Sequence, residues 1–311
     1  MLKKNARERK ILVPAGLQPG DLVGVMAPGF AVRPGAAMPG IRILEGMGLR
    51  VRTGASVRAR DGYFAGSDAR RVCDLDALLG DDEVRAILFA RGGYGTSRIL
   101  EALPWKTIER RPKILLGYSD LTALFAAAVD RAGLSCAYGP VVAELGDRHR
   151  YDLRSFERAL FDPGRPLEIR FARRSVLARG RAKGRLAGGC LSLLAHLAGT
   201  PWAPRTKGRV LLLEEIGEEP YRIDRMLTQM RMAGMLEDLA GVLVGSLTGC
   251  RPRKGFGPSP SALDVVASFF MNAGIPVIAG LPIGHLAGKI TVPLGFEARI
   301  DTAAGRIVLA P

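Results

Sequence analysis

The sequence predicts an α/β fold in which a mostly parallel sheet domain is followed by a smaller α/β domain with a mixed sheet. Short apolar runs bounded by Gly and Pro alternate with stretches whose apolar residues recur at helical spacing, as in parallel β-α-β folds. This alternation restarts after a central stretch that is rich in Arg, Gly and Pro. A chain of 311 residues is long enough for two such domains.

The elements of the first half follow one another as strand and helix. Ser67 and Asp68 precede one helical stretch and are expected to cap its amino terminus. The predicted strands are LVGVMAP (22–28), LRVRTG (49–54), VRAILFA (84–90), KILLGY (113–118) and LSCAYGP (134–140). The predicted helices are 36–48, 69–80, 96–103 and 120–133.

The second half repeats the rhythm and ends on alternating segments that predict antiparallel strands. The paired glycines Gly188 and Gly189 precede its first helix, CLSLLAHLAG (190–199). The later helices are 220–236 and 261–274, and the strands are 209–215, 241–247, 276–282, 289–295, 296–301 and 306–311. We therefore predict an amino-terminal domain over 1–165, a linker over 166–184 and a carboxyl-terminal domain over 185–311.

Charge and composition exclude several classes of protein. The net charge is +15, which attracts anions, yet the densest basic stretch, 165–185, contains one aromatic residue, Phe171. A basic surface that suits anionic substrates is therefore favoured over a specific nucleic-acid binder. The four cysteines are too scattered for a disulfide framework or a zinc site, so no metal is expected.

The sequence offers no segment for a membrane. The amino-terminal stretch MLKKNARERKILVPAGL lacks an apolar signal core and is expected to be a charged lead-in. No apolar run reaches the roughly 18 residues that a membrane helix needs. We therefore expect a cytoplasmic protein.

Four loops lie where strands of an open α/β sheet reach their carboxyl ends, which is where such folds bind ligands. They are RGGYG (91–95), GYSD (117–120), LLLEEIGEE (211–219) and GLPIGH (280–285). Two interpretations fit Ser119 of GYSD. It is either the N-cap of the next helix or a nucleophile held at a strand-to-helix elbow.

A serine nucleophile needs a base, and the chain has three histidines. His149 lies in a charged, surface-like stretch, and His196 lies among apolar residues as a core histidine would. His285 follows a strand and is favoured by elimination. Glu214 and Glu215 end a buried strand and are candidates to orient the base, unless that strand simply reaches water there.

The glycines of the RGGYG turn also have two interpretations. The turn is not a dinucleotide-binding fingerprint, because GxGxxG is absent. Gly92 and Gly93 allow close approach of the backbone to a ligand, and their N–H groups are suited to part of an oxyanion hole. A plain tight turn is the alternative.

Taken together, these segments resemble the serine LD-carboxypeptidases, the muramoyl-tetrapeptide carboxypeptidase family, which also includes microcin immunity-type peptidases. The resemblance covers nearly the whole chain. The motifs that carry it are PGDLVGVMAPG, GYFAGSDARRVCDLDALLGDDEVRAILFARGGYG, PKILLGYSDLTAL, AGGCLSLLAHLAGTPW, LLLEEIGEEPYRIDRML and GIPVIAGLPIGH.

The resemblance implies a Rossmann-like domain carrying the nucleophile Ser119 and a smaller domain supplying Glu214 and the base His285. It further implies an oxyanion hole from the N–H of Asp120 and one N–H of the Gly92–Gly93 turn. It implies no metal or cofactor, and a homodimer. The chain departs from the family pattern at Glu215, where aspartate is usual, and at Cys190, where asparagine is usual.

The implied function is release of the terminal D-alanine of murein tetrapeptide by cleavage of an L-to-D amide bond, in peptidoglycan recycling. Three alternatives stay open. They are a microcin immunity-type peptidase that cleaves an aminoacyl-nucleotide amide, a binding module without activity, and a basic nucleic-acid binder.

Overall fold

The computed structural model describes residues 9–253 and 259–311, so the first eight residues of the charged lead-in lie outside the described part. The described chain forms two compact units. Unit 1 contains the chain up to Arg165 together with Ile290–Gly295. Unit 2 contains Pro166–Lys289 and Phe296–Pro311. The α/β class predicted from the sequence is confirmed.

Unit 1 is built on a six-stranded sheet with one antiparallel edge strand. Its strands are β1 (Leu22–Met26), β2 (Arg50–Thr53), β3 (Val84–Phe89), β4 (Ile114–Gly117), β5 (Cys136–Tyr138) and β12 (Val292–Leu294), in the order β12-β5-β4-β3-β1-β2. Its helices are α1 (Met38–Gly46), α2 (Asp68–Gly80), α3 (Thr96–Ile99), α4 (Trp105–Arg110), α5 (Thr122–Ala127) and α6 (Leu153–Phe161).

Helices cover both faces of this sheet. Val23 and Val25 of β1 point to one face and pack in a core with Leu44 of α1 and Phe156 of α6. Gly24, between them, lies against a leucine of α2 on the other face. Helix α2 begins as predicted, because the Ser67 side chain accepts a hydrogen bond from the Arg70 N–H.

Strand β12 returns from the carboxyl-terminal part of the chain to unit 1. It pairs antiparallel with β5, with Val292 opposite Tyr138, and the Thr291 N–H donates to Ser155 Oγ at 2.9 Å. The sequence groups segment 289–295 with the last antiparallel strands of the second domain. The structure instead places it at the edge of β5, where its backbone groups find partners.

Unit 2 contains an eight-stranded sheet, which is mixed as predicted. Its strands are β6 (Leu167–Arg170), β7 (Val176–Ala178), β8 (Arg181–Cys190), β9 (Val210–Ile216), β10 (Gly241–Thr248), β11 (Val277–Ile278), β13 (Glu297–Asp301) and β14 (Arg306–Ala310), in the order β6-β14-β13-β8-β9-β10-β11-β7. Its helices are α7 (Leu191–Leu197), α8 (Pro220–Met232) and α9 (Ala262–Phe270). Strands β8 to β11 are parallel, and the others pair antiparallel.

The range 166–184 differs from the linker that its composition predicts. It contains β6, β7 and the first part of β8, and it belongs to unit 2. Gly188 and Gly189 precede α7 as expected, and both lie inside β8. At Gly188 the backbone has φ of 128°, and a Cβ there would collide with the carbonyl of Leu212 on β9. Close approach of the neighbouring strand therefore requires glycine.

Among residues 9–253 and 259–311, no helix combines the length and the apolar character that crossing a membrane requires.

Candidate active site

Ser119 lies at a sharp bend between β4 and the helix that follows. Its φ is 67°, which places a residue other than glycine in the left-handed region. The Ser119 N–H donates to the Tyr138 hydroxyl at 3.3 Å, and Ser119 remains partly exposed. A strained serine after a buried parallel strand is the geometry of a nucleophile elbow.

The alternative that Ser119 is an N-cap does not fit this bend. A short 3₁₀ turn over Ser119–Leu121 precedes α5, and its cap position is held by Tyr118. Leu121 holds the cap position of α5, and neither cap residue makes a side-chain cap hydrogen bond. Ser119 is thus the first residue inside the turn.

The RGGYG turn packs directly against Ser119. A Cβ built on Gly92 would stand 2.9 Å from Ser119 Cβ and 3.0 Å from its Oγ. Gly93 has φ of 116°, and a Cβ there would stand 2.5 Å from the Phe30 ring. Both glycines are therefore required by close approach, and the turn lies beside the hydroxyl as an oxyanion-hole loop would.

Asp120 follows Ser119 and is completely buried. Its Oδ2 accepts hydrogen bonds from the Thr96 N–H at 2.9 Å and from Thr96 Oγ1 at 2.5 Å. Burial raises the pKa of the Asp120 carboxyl above its usual value, although these hydrogen bonds oppose the rise. The carboxyl thus joins the elbow to Thr96, the first residue of α3, which directly follows the glycine turn.

In unit 2, Glu214 and His285 form a hydrogen-bonded pair. His285 Nδ1 lies 2.7 Å from Glu214 Oε2, and the His285 backbone N–H donates to the same oxygen at 3.1 Å. The Glu214 side chain is completely buried, and that of His285 is 12% exposed. Because a carboxylate can only accept, Nδ1 carries the proton and Nε2 is left as the basic nitrogen.

The backbone around this pair explains its geometry. Glu214 lies near the end of β9, and the turn that follows β11 brings Gly284 directly against its carboxyl group. Gly245 of β10 lies beneath, with its Cα facing the Ile283 carbonyl and the Glu214 side chain. Small residues at these two positions let the His285 loop reach a carboxylate that is held by a central strand.

Glu215 points elsewhere. Its carboxyl oxygens accept hydrogen bonds from the Ser192 N–H at 2.7 Å and from the Ile216 N–H at 2.8 Å. Burial raises the pKa of Glu215. Since both Glu214 and Glu215 are buried, the strand does not simply reach water at this point.

Cys190 occupies the position where the resembled family usually has asparagine. Its Sγ lies 3.5 and 3.6 Å from the two Glu215 oxygens and 3.3 Å from Ser192 Oγ. Burial and then the neighbouring carboxylates raise the pKa of the Cys190 thiol well above its usual value. The thiol is therefore a neutral, weak donor to Glu215.

The other two histidines lie on the surface. His149 is exposed in a turn, as its charged neighbours predict. His196 is exposed on α7, so its interpretation as a core histidine is wrong. The apolar residues around it fall on the opposite side of the helix, where Leu194 and Leu197 are buried.

The predicted site residues thus form two groups. Ser119, Asp120, Gly92 and Gly93 come together in unit 1, and Glu214 and His285 come together in unit 2. Sequence reasoning considered the Asp120 N–H but missed its carboxyl, although an acid three residues after the end of a buried strand is itself a signal.

Comparison with known proteins gives consistent matches across the chain. Residues 23–139 match the family described as LD-carboxypeptidase N-terminal domain, and residues 183–300 match its C-terminal domain. A probable murein peptide carboxypeptidase of Bacillus subtilis is 38% identical over 299 residues, which cover 95% of this chain and 93% of that protein.

Solved structures match over the same length. A muramoyltetrapeptide carboxypeptidase from Oxalobacter formigenes has a TM-score of 0.83 and 27% identity, covering 93% of this chain and 99% of its own. The microcin C7 self-immunity protein MccF in its apo state has a TM-score of 0.86 and 21% identity, covering 96% and 98%. At 21% identity, the similarity to MccF shows a common fold only.

Proposed function

The chain belongs to the LD-carboxypeptidase family, and from this we infer that it releases the terminal D-alanine of murein tetrapeptide. It is a hydrolase of the serine type. The B. subtilis relative is named for murein peptides and the O. formigenes structure for muramoyltetrapeptide, which supports this substrate class. The free carboxylates of such a peptide suit a chain with a net charge of +15.

The catalytic residues that we propose are Ser119, His285 and Glu214. His285 Nε2 takes the proton of Ser119 Oγ as this oxygen attacks the scissile carbonyl, and the N–H groups of Asp120 and of the Gly92–Gly93 turn stabilise the oxyanion. The C–N bond then breaks, and His285 gives the proton to the departing D-alanine amine. Water repeats the sequence on the acyl-enzyme.

The observation that carries this proposal is the bond between His285 Nδ1 and the buried Glu214 carboxylate. It fixes the tautomer in which Nε2 is a base, and it supports the imidazolium that forms in the transition state. The left-handed backbone conformation of Ser119 supports its role as the nucleophile, because a nucleophile elbow presents the hydroxyl above the sheet.

The test is an assay of the purified protein on murein tripeptide, tetrapeptide and pentapeptide, read by mass spectrometry. We expect loss of one alanine from the tetrapeptide alone. Amidation of the D-alanine carboxylate should abolish most of the cleavage, because an exopeptidase recognises the charge that it releases. Equal rates on free and amidated peptide would contradict the proposal.

An aminoacyl sulfamoyl-adenylate, assayed in parallel, distinguishes the microcin immunity-type alternative. That reaction keeps the same nucleophile and base and changes the leaving group. Cleavage of the adenylate without cleavage of the tetrapeptide would assign the chain to that branch.

We further propose that the enzyme works in the cytoplasm, as a homodimer. Light scattering at several protein concentrations tests the dimer.

A further inference from the structure

The Asp120 carboxyl is a buried acid that the reaction described above does not use. It is inaccessible to solvent, and its Oδ2 accepts hydrogen bonds from the N–H and from the hydroxyl of Thr96. Burying a carboxyl costs free energy unless it is partnered. The hydrogen bonds of this carboxyl therefore have to offset the cost of burying it one residue after Ser119.

A third loop meets the same oxygen. Gly29, which follows β1, lies so close that a Cβ there would collide with Asp120 Oδ2 and stand 3.0 Å from the Tyr94 carbonyl. The loop after β1, the end of the glycine turn and the Ser119 elbow thus converge on the Asp120 carboxyl.

Arg71 ties two of these loops from a neighbouring position. Its guanidinium is completely buried, and it donates to the carbonyls of Pro28 and Gly95, the latter at 3.0 Å. The Arg71 guanidinium also donates hydrogen bonds to the Gly66 carbonyl and to the Asp68 carboxylate, which are close to it in sequence. The glycine turn is therefore anchored at its carboxyl end by two buried polar groups, Arg71 and Asp120.

We propose that Asp120 is a positioning residue, which through Thr96 sets the separation of the glycine turn from the Ser119 elbow. The inference rests on the proposed function, in which one N–H from each of these segments stabilises the oxyanion. Such donors act only when they lie within a few tenths of an ångström of the correct place. The Asp120–Thr96 bonds join the two donor segments directly.

The test removes each partner and restores it conservatively. We expect Asp120→Ala to lower kcat on the tetrapeptide by about 10²-fold, with KM changed less than about twofold. Thr96→Val keeps the backbone N–H bond to Asp120 and removes only the hydroxyl bond, so it should lower kcat in the same direction but by less. Asp120→Asn and Thr96→Ser retain an acceptor and a donor, and should recover most of this loss. The Asp120→Ala/Thr96→Val double variant should be no slower than the slower single variant, because one linkage is removed.

A second measurement separates positioning from general loosening of the fold. A tripeptide boronic acid, in which boron replaces the scissile carbonyl carbon, forms a tetrahedral adduct with Ser119. Its affinity should fall with kcat in Asp120→Ala and Thr96→Val, while affinity for the tripeptide product stays at the wild-type value. Unchanged boronate affinity, or parallel loss of product affinity, would overturn the inference.

Failure of the proposed function would look different. In that case wild-type protein would not cleave the tetrapeptide, and Ser119→Ala would leave any residual rate unchanged. Wild-type activity that depends on Ser119 but survives in Asp120→Ala would overturn the positioning role alone.

Discussion

His285 makes two hydrogen bonds to a single oxygen of Glu214, one through Nδ1 at 2.7 Å and one through its backbone N–H at 3.1 Å. The imidazole and the backbone of the same residue are thereby held by one buried carboxylate. A single-atom change at Glu214 therefore disturbs both the orientation of the ring and the position of its loop.

Glu214→Gln is expected to lower kcat more than Glu215→Gln. An amide at position 214 loses the negative charge that supports the imidazolium, whereas Glu215 bonds to backbone N–H groups and to the Cys190 thiol. Steady-state kinetics of the two variants measure the difference, with melting temperatures as a check on folding. A greater loss of kcat in Glu215→Gln would show that Glu215, and not Glu214, orients His285.

Ser119→Ala should lower kcat by about 10⁴-fold with little change in KM. Adding His285→Ala to this variant should cost almost nothing further, because the base then has no proton to accept. Rates of the two single variants and the double variant give the coupling. Additive losses would show that Ser119 and His285 do not act as one unit.

Gly92→Ala is expected to lower kcat by about 10²-fold, because the new methyl group would press on the Ser119 side chain and displace it. Gly46→Ala at the end of α1 is the matched control, since a Cβ there meets no atom within 4 Å. Kinetics and thermal melts of both variants are compared. Full activity of Gly92→Ala would contradict the close approach described here.

The stability of Glu215→Gln relative to wild type should rise with pH. Burial raises the pKa of Glu215, so its contribution to folding is present below the usual glutamate pKa and is lost as pH rises through the raised value. Glutamine does not titrate, and the variant escapes this loss. Urea unfolding at several pH values gives the free energies.

Glu297→Gln is the control of opposite sign. The Arg299 and Lys183 side chains lower the pKa of Glu297, so its contribution is present above the usual glutamate pKa and is lost as pH falls. This group lies near the surface, and its effect should be small. A pH-independent difference between wild type and Glu215→Gln would count against the raised pKa.

Cys73 should react with a thiol reagent first in the native protein. It is exposed, whereas Cys136, Cys190 and Cys250 are buried and burial raises the pKa of each. Mass spectrometry after brief maleimide treatment should find one adduct, which Cys73→Ser removes. Early labelling of Cys190 would mean that its contacts with Glu215 open readily.

Local patterns were sufficient for most of the fold. Ser67 caps α2 as its sequence context predicts. The parallel strands of unit 1 are short apolar runs bounded by turn residues, which makes them recognisable in the sequence. The range 166–184 is predicted to be a linker because its Arg- and Gly-rich sequence shows no clear periodicity, yet it contains the edge strands β6 and β7 and the first part of β8.

The site divides in the same way. Ser119 and His285 follow strands, a position that sequence alone identifies. The role of Asp120 as acceptor for Thr96 depends on two loops that meet in space. The exposure of His196 depends on which face of α7 carries it. The first relation is not encoded by spacing along the chain, whereas the second follows from the helical spacing of the buried residues of α7.

Strand β12 has a consequence for the order in which the chain is made. A ribosome produces all of β6 to β11 before it reaches Val292–Leu294, the strand that completes the sheet of unit 1. Until then β5 is an open edge, and the Ser155 hydroxyl lacks the Thr291 N–H that it later accepts. The sheet of the amino-terminal unit therefore stays incomplete while β6 to β11 are synthesised, and a chain released before Val292 leaves the edge of β5 as a template for intermolecular pairing.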